Sequence, residues 1–178
     1  SVIGPLARSA EDLRLVMEIV GGADDIHLPG WKLELPRPTQ KSLGEYKIAV
    51  WADDACAAVD QSVIERVLMV AKLVEDAGGE VDFTARPEFD ATDSHLQYTN
   101  LLHSAMAARQ PDEVFEKQRL QRESLADGDD SALAQVLTAS TLYYRDWHRH
   151  NENRTHLRWA WHRFFQEFDL LLTPMCVT

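Results

Sequence analysis

Apolar positions recur along this chain in two different periods, and the switches between them mark out its elements. Leu13, Val16, Met17 and Val20 follow the i, i+3, i+4, i+7 spacing of one buried helical face. Ser9 is a favoured N-cap residue, and Asp12 three positions later makes a capping-box-like pair, so the helix is predicted to start there. Gly21-Gly22 is predicted to stop it, because glycine takes the left-handed turn that closes a helix. Residues 23–44 hold Pro29, Pro36 and Pro38 with no sustained period and read as a long surface loop. Trp31, Leu33 and Leu35 alternate within it and are expected to clip it onto the body.

The period then shortens. Tyr46-Lys47-Ile48-Ala49-Val50-Trp51 is strand-like, rich in β-branched and aromatic residues. Asp60 can cap a helix with Val63, Val67, Val70 and Val74 on its apolar face, backed by Ile64, Leu68 and Ala71. Gly78-Gly79 ends it, and Glu80-Val81-Asp82-Phe83 reads as a second strand. Strand, crossover helix and strand make a parallel pair, almost always right-handed. The expected fold class is therefore α/β.

From Asp93 to Phe168 only helical patterns occur. Leu96, Leu102, Ala105 and Met106 mark one face before Pro111. Val114, Phe115 and Leu125 mark one helix, or two short ones, before Asp127-Gly128. Ser131 is predicted to start a short helix, and Ser140 or Thr141 to cap a long one. On that long helix Leu157, Trp161, Phe164, Phe165 and Phe168 fall on one stripe. Leu170-Leu171-Leu172 reads as a short strand covered on both faces, ended by Pro174. A few mainly parallel or mixed strands would thus be covered by many helices. Three strands are few for so many helices, so the sheet is expected to take further strands from an upstream part of the polypeptide.

Composition narrows the function classes. At 178 residues and 45% apolar, the chain can bury a core, with one domain as the default. The net charge of −11 opposes the counterion release that binds nucleic acid. No run of about 18 apolar residues suits a membrane span, and the first residues carry no signal-peptide pattern. The chain begins without Met, directly in a structured-looking motif, and reads as part of a longer polypeptide. Cys56 and Cys176 lie far apart in no Cys-x-x-Cys pattern, which suits a reducing, cytoplasmic compartment.

The densest polar cluster is Trp147-His148-Arg149-His150-Asn151-Glu152-Asn153-Arg154-Thr155-His156, with His162 beyond. On a helix His148 and His150 diverge by about 200°. Only His148/Glu152 and Glu152/His156 can share a face, and basic residues interleave throughout. A solvated, salt-bridged helix face is expected, not a metal centre. None of the nine serines sits in Gly-x-Ser-x-Gly or Ser-x-x-Lys. Lys41-Ser42 lies in a loop with nothing to bury the lysine and lower its pKa. Arg8 and Asp12 are expected to form an ion pair across the helix start. Thr173–Thr178 follows an interior strand, and ligands of open α/β sheets sit beyond the carboxyl ends of strands. Pro174 and Met175 are the candidate substrate-binding residues; a plain strand-to-loop exit is the alternative.

Four segments in register resemble the amidase signature family. They are Gly4-Pro5-Leu6-Ala7-Arg8-Ser9 with Asp12-Leu13; the stretch from Tyr46 through Gly79 and Val81; Arg145-Asp146-Trp147 through Phe164-Phe165; and Phe168-Asp169-Leu170-Leu171-Leu172-Thr173-Pro174. The resemblance implies hydrolysis of a carboxylic amide to carboxylate and ammonia or amine, through a serine–serine–lysine triad beside a glycine-rich oxyanion loop. That triad and its Gly/Ser-rich stretch have no counterpart here, so no catalytic residue is assigned, and no cofactor or metal. Residues 1–178 would be the C-terminal part of a single amidase domain, giving scaffold and some pocket wall, inactive alone. Its partners would be the upstream catalytic part, a small-molecule amide, and a second copy of itself, with no nucleic acid or membrane. The alternative is a non-catalytic α/β interaction domain that self-associates. Which amide is taken, and whether the parent is a simple amidase or a transamidating subunit, stay open.

Overall fold

Ser9 caps helix α1 (Ala10–Val20) in the computed structural model of this chain, which describes residues 4–178. The Asp12 N–H donates to the Ser9 hydroxyl at 3.1 Å, as the capping pattern requires. Ser1, Val2 and Ile3 of the opening motif lie outside the described residues. The chain divides into two compact units, Ser1–Thr39 and Gln40–Thr178. In the first, burial differs from expectation. No residue of α1 is fully buried: Leu13 and Val16 are half-buried and Val20 is 65% exposed, so the apolar stripe is only partly covered. Gly21 closes the helix at φ −73 in extended backbone, its N–H donating to the Met17 carbonyl at 2.9 Å. The positive φ that favours glycine falls one residue later, at Gly22 (φ +142). Trp31 is exposed, while Leu33 and Leu35, about half exposed, lie beside Met17 and Gly21 at the end of α1.

The second unit is built on a three-stranded parallel sheet. Strands β1 (Lys47–Val50), β2 (Glu80–Asp82) and β3 (Leu170–Leu172) lie in the order β2-β1-β3. Register pairs Lys47 with Glu80 and Ile48 with Val81 on one side, and Ile48 with Leu170 and Val50 with Leu172 on the other. Helix α2 (Gln61–Asp76) is the crossover, capped by Asp60, which accepts from the Ser62 N–H at 2.8 Å. Side chains of β1 alternate between the sheet faces. Ile48 and Val50 pack with Ala71 and Val74 of α2. Ala49 faces the other way, against Phe164 and Phe168. A small residue at 49 leaves room for the two rings. The sheet therefore has a helix on each face, the layering of an α/β fold.

The remaining helices are α3 (Ala91–Ala107), α4 (Asp112–Glu123), α5 (Ala132–Ser140) and α6 (Tyr144–Glu167). Helix α3 packs against α5 and α6, and α4 against α5. The expected stripe on α3 is not the buried one. Asn100 and Ala107 are buried, while Leu96, Ala105 and Met106 are exposed. Small residues and a satisfied amide let the helices approach closely: the Asn100 side chain donates to the Leu96 carbonyl at 2.8 Å. Ser131 caps α5 as predicted, accepting from the Ala134 N–H at 3.2 Å. Ser140 and Thr141 do not cap α6; Tyr143 holds that position without a side-chain bond. They finish α5 instead, where the Arg122 guanidinium donates to the Thr141 carbonyl at 2.7 Å. On α6, Phe164 and the C-cap residue Phe168 are buried, Leu157 and Trp161 are half-buried, and Phe165 is exposed. On α2, Val70 and Leu68 are exposed along with Met69 and Leu73. Leu170 is exposed as well, because β3 is an edge strand. No helix among the described residues is long and apolar enough to cross a membrane.

Candidate substrate cleft

Beyond the carboxyl ends of β1 and β3 the second unit opens into a cleft of about 480 Å³. Two adjacent parallel strands end there, and the carboxyl ends of strands are where open α/β sheets receive ligands. The chain leaving β3 supplies Thr173, Pro174 and Met175, so both sequence-predicted residues line this wall. The chain leaving β1 supplies Trp51 through Asp54. Phe89 comes from the β2–α3 connection and Trp161 from α6.

Local hydrogen bonds fix the Trp51 wall. The Trp51 backbone N–H donates to the Leu172 carbonyl at 2.8 Å, extending the ladder one residue past β1. Its indole N–H donates to Asp54 Oδ2 at 3.0 Å. Arg86 lies 4.9 Å from the ring centroid and donates to the Val50 carbonyl at 3.1 Å. The opposite wall is aromatic: Trp161 meets Phe89 edge-on at 5.5 Å and Phe164 edge-on at 5.6 Å. That second contact joins the cleft to the core beneath the sheet.

Asp53 and Asp54 organise the loop after β1. Asp53 Oδ1 accepts from the Asp54 N–H at 2.9 Å and the Val59 N–H at 3.2 Å. Asp54 Oδ1 accepts from the Cys56 N–H at 3.0 Å. That backbone bond leads the contacts holding the Asp54 carboxyl below the usual carboxylate range, with Arg86 adding attraction. Asp54 in turn pushes the Cys56 thiol up, chiefly through a side-chain hydrogen bond, so this exposed thiol is a poor nucleophile at neutral pH. Cys56 and Cys176 line the same cleft, which their separation in sequence did not suggest. No Lys, Arg or His lines it among the described residues. Ser94 is the only lining serine among the described residues, and no lysine or histidine lies beside it in the lining to serve as its base. The cleft can bind and orient an organic group; it holds no nucleophile–base pair.

The other sequence candidates fall elsewhere. Ser42 donates to Glu45 Oε1 at 3.4 Å, and the Lys41 N–H donates to Glu45 Oε2 at 3.1 Å, so this pair structures a turn. Arg8 and Asp12 form no ion pair, because Arg8 precedes the helix and the i, i+4 geometry never applies to it. On α6, His148 Nδ1 lies 3.6 Å from Glu152 Oε2, the expected shared face. No group of three or more His, Cys, Asp or Glu converges on a metal position among the described residues.

His150 of α6 reaches across to α3. Its Nδ1 lies 2.7 Å from Gln97 Oε1, an acceptor, so Nδ1 carries the proton. Partial burial lowers its pKa below the ordinary 6.5, and Arg149 lowers it further against the pull of Asp146. The unfolded chain then binds this proton first as pH falls, so folding stability declines from about pH 6.5 downward through the lower folded value. Urea midpoints at pH 7.5 and 5.5 should separate in the native protein and draw together in His150→Asn. Equal separation in both would remove His150 as the cause.

A family model described as Amidase matches residues 1–178. A search of curated proteins and a search of solved structures each returned no match.

Proposed function

The chain belongs to the amidase signature family, whose reaction is hydrolysis of amide C–N bonds, and from that premise we propose that residues 1–178 form the C-terminal part of an amide hydrolase whose catalytic groups lie upstream. The observation that carries this reading is the family match over all 178 residues, on a chain whose one cleft at the strand ends has no nucleophile–base pair. In this role the segment supplies sheet, helical cover and one wall of the substrate pocket. Pro174 and Met175 contact the substrate from the end of β3, and Trp51 does so from the end of β1. The upstream part would bring the serine nucleophile, its proton relay and its base to the open side of the cleft. Edge strands β2 and β3 each leave an unpaired side onto which further strands can add.

A second reading rests on the apolar surface of α2. Met69, Val70 and Leu73 are all more than 40% exposed and fall on one face of the helix. Exposed apolar patches of this kind mark interaction sites, and a non-catalytic domain that self-associates would use it.

Ammonia release from a panel of simple amides separates the two. The protein extended upstream should release ammonia, while residues 1–178 alone should release none. Sedimentation of residues 1–178 supplies the other arm. A stable dimer, with no activity in the longer protein, would favour the interaction domain. Activity in residues 1–178 alone would overturn the placement of the catalytic groups.

A further inference from the structure

The cleft lining is largely apolar and carries two carboxylates. Trp51, Phe89, Trp161, Leu171, Pro174 and Met175 supply apolar surface. Asp53 and Asp54 are the only charged side chains lining it among the described residues. The two carboxylates are not equivalent. Asp54 uses both oxygens, one on the Cys56 N–H and the other on the Trp51 indole, and it feels the positive charge of Arg86. Asp53 spends Oδ1 on two backbone N–H groups and makes no ion pair with a Lys, Arg or His among the described residues. No cationic side chain lining the cleft among the described residues offsets its negative charge.

Amide hydrolysis turns a neutral group into a carboxylate, so charge is the largest difference between what enters such a site and what leaves. We propose that this cleft is a specificity pocket for an uncharged or cationic aryl or branched-alkyl group, with Asp53 as a charge filter that turns away carboxylates. The inference rests on reading the chain as part of an amide hydrolase. A volume of about 480 Å³ holds a group of that size with room for its linkage. The apolar wall provides affinity without regard to charge. Asp53 then sets the ranking: Coulomb repulsion at several ångströms near a wet surface weakens an anion by about three- to tenfold against its neutral isostere. A filter of this kind favours substrate over product, and disfavours amides whose side group carries its own carboxylate.

Three probes that share one ring test it on residues 1–178 directly: phenylacetamide, phenethylamine and phenylacetate. Binding is followed by tryptophan fluorescence, since Trp51 and Trp161 both face the cleft. The amide and the amine should bind, with phenylacetate about three- to tenfold weaker at low salt. Raising the salt to 1 M shortens the screening length to about 3 Å and should narrow the gap. Asp53→Asn keeps an oxygen for the Asp54 and Val59 N–H groups while removing the charge, so phenylacetate should rise to match the amide. Met175 is 98% exposed, so Met175→Ala leaves the fold intact. It should weaken all three probes by a similar factor.

Phenylacetate binding as well as the amide in the native chain would overturn the filter, as would a gap that survives Asp53→Asn. Failure of every probe to bind, or indifference to Met175→Ala, would overturn the pocket. These outcomes are separable from the parent reading, which stands or falls on ammonia release by the longer protein. Activity there with no charge ranking here sinks only the filter.

Discussion

Phe164→Ala is expected to destabilise this protein by about 3–5 kcal/mol, the range for emptying a buried aromatic site. That is a large share of the roughly 5–15 kcal/mol by which domains are stable. Phe164 is the hinge pin of one sheet face. It is buried with Ala49 at the centre of β1, stacks on Phe168 at 5.0 Å, and meets Phe165 edge-on at 5.2 Å and Trp161 edge-on at 5.6 Å. Ala49 carries only a methyl group, too short to fill the hole, so little of the loss can be recovered by relaxation. Urea denaturation should show a lower midpoint with an unchanged slope, the mark of altered stability rather than altered denatured-state compactness. Phe165→Ala is the paired control: its ring is 48% exposed but touches Phe164 and Trp161, so its cost should stay well below that of Phe164→Ala. A cost for Phe164→Ala below about 1 kcal/mol would mean that α6 is held to the sheet by other contacts. Because Trp161 rests on Phe164, the variant should also loosen the cleft wall and weaken neutral probes there.

The strand–helix–strand core was legible because each of its boundaries is written in local chemistry. Asp60 offers a cap, the glycine pair offers a stop, and the β-branched run of β1 offers a strand too short to be a helix. Family membership was legible for a related reason: its motifs are contiguous runs, Gly4 through Ser9 and Asp169 through Pro174. Burial was less legible. A period of 3.6 tells which side of a helix is apolar, but not whether anything covers it. The stripe on α1 is only partly covered, and α3 buries Asn100 and Ala107 in place of Leu96 and Met106. There, close helix approach and a satisfied amide decided the face, and neither leaves a hydropathy signal.

The cleft divides along the same line. Pro174 and Met175 could be placed from sequence because they follow a strand end, and strand ends are where such folds bind. The same rule points to Trp51, which leaves β1 as Thr173 leaves β3. Phe89 and Trp161 could not be placed so, since they reach the cleft from a connection and a helix that tertiary packing alone brings together. Cys56 and Cys176 are the clearest case. Far apart in sequence and without a motif, they end on one wall because β1 and β3 are neighbours in the sheet.

Gly44→Ala should be the second most damaging small substitution, at about 3 kcal/mol, the upper end of the overpacking range. A methyl group at position 44 would sit 2.2 Å from the Ala77 carbonyl oxygen and 3.2 Å from its carbon. Both are backbone atoms, so no rotamer change can relieve the overlap. The short 3₁₀ turn Leu43–Glu45 leads directly into β1, and the turn after α2 leads directly into β2. Their close approach at Gly44 therefore brings together the entries of two paired strands, where the Glu80 N–H donates to the Tyr46 carbonyl at 3.0 Å. Separating them should loosen that first ladder bond as well as the turn. Gly78, in the same turn, works differently: its φ is +93 and nothing lies within 4 Å of an added methyl. Gly78→Ala should then cost only the conformational term, about 1–2 kcal/mol. Melting both variants beside the native protein gives the order of the two costs. A larger loss at 78 would show that the turn is limited by backbone conformation; a larger loss at 44 identifies close packing between the two turns as the contact that sets the β1–β2 pairing.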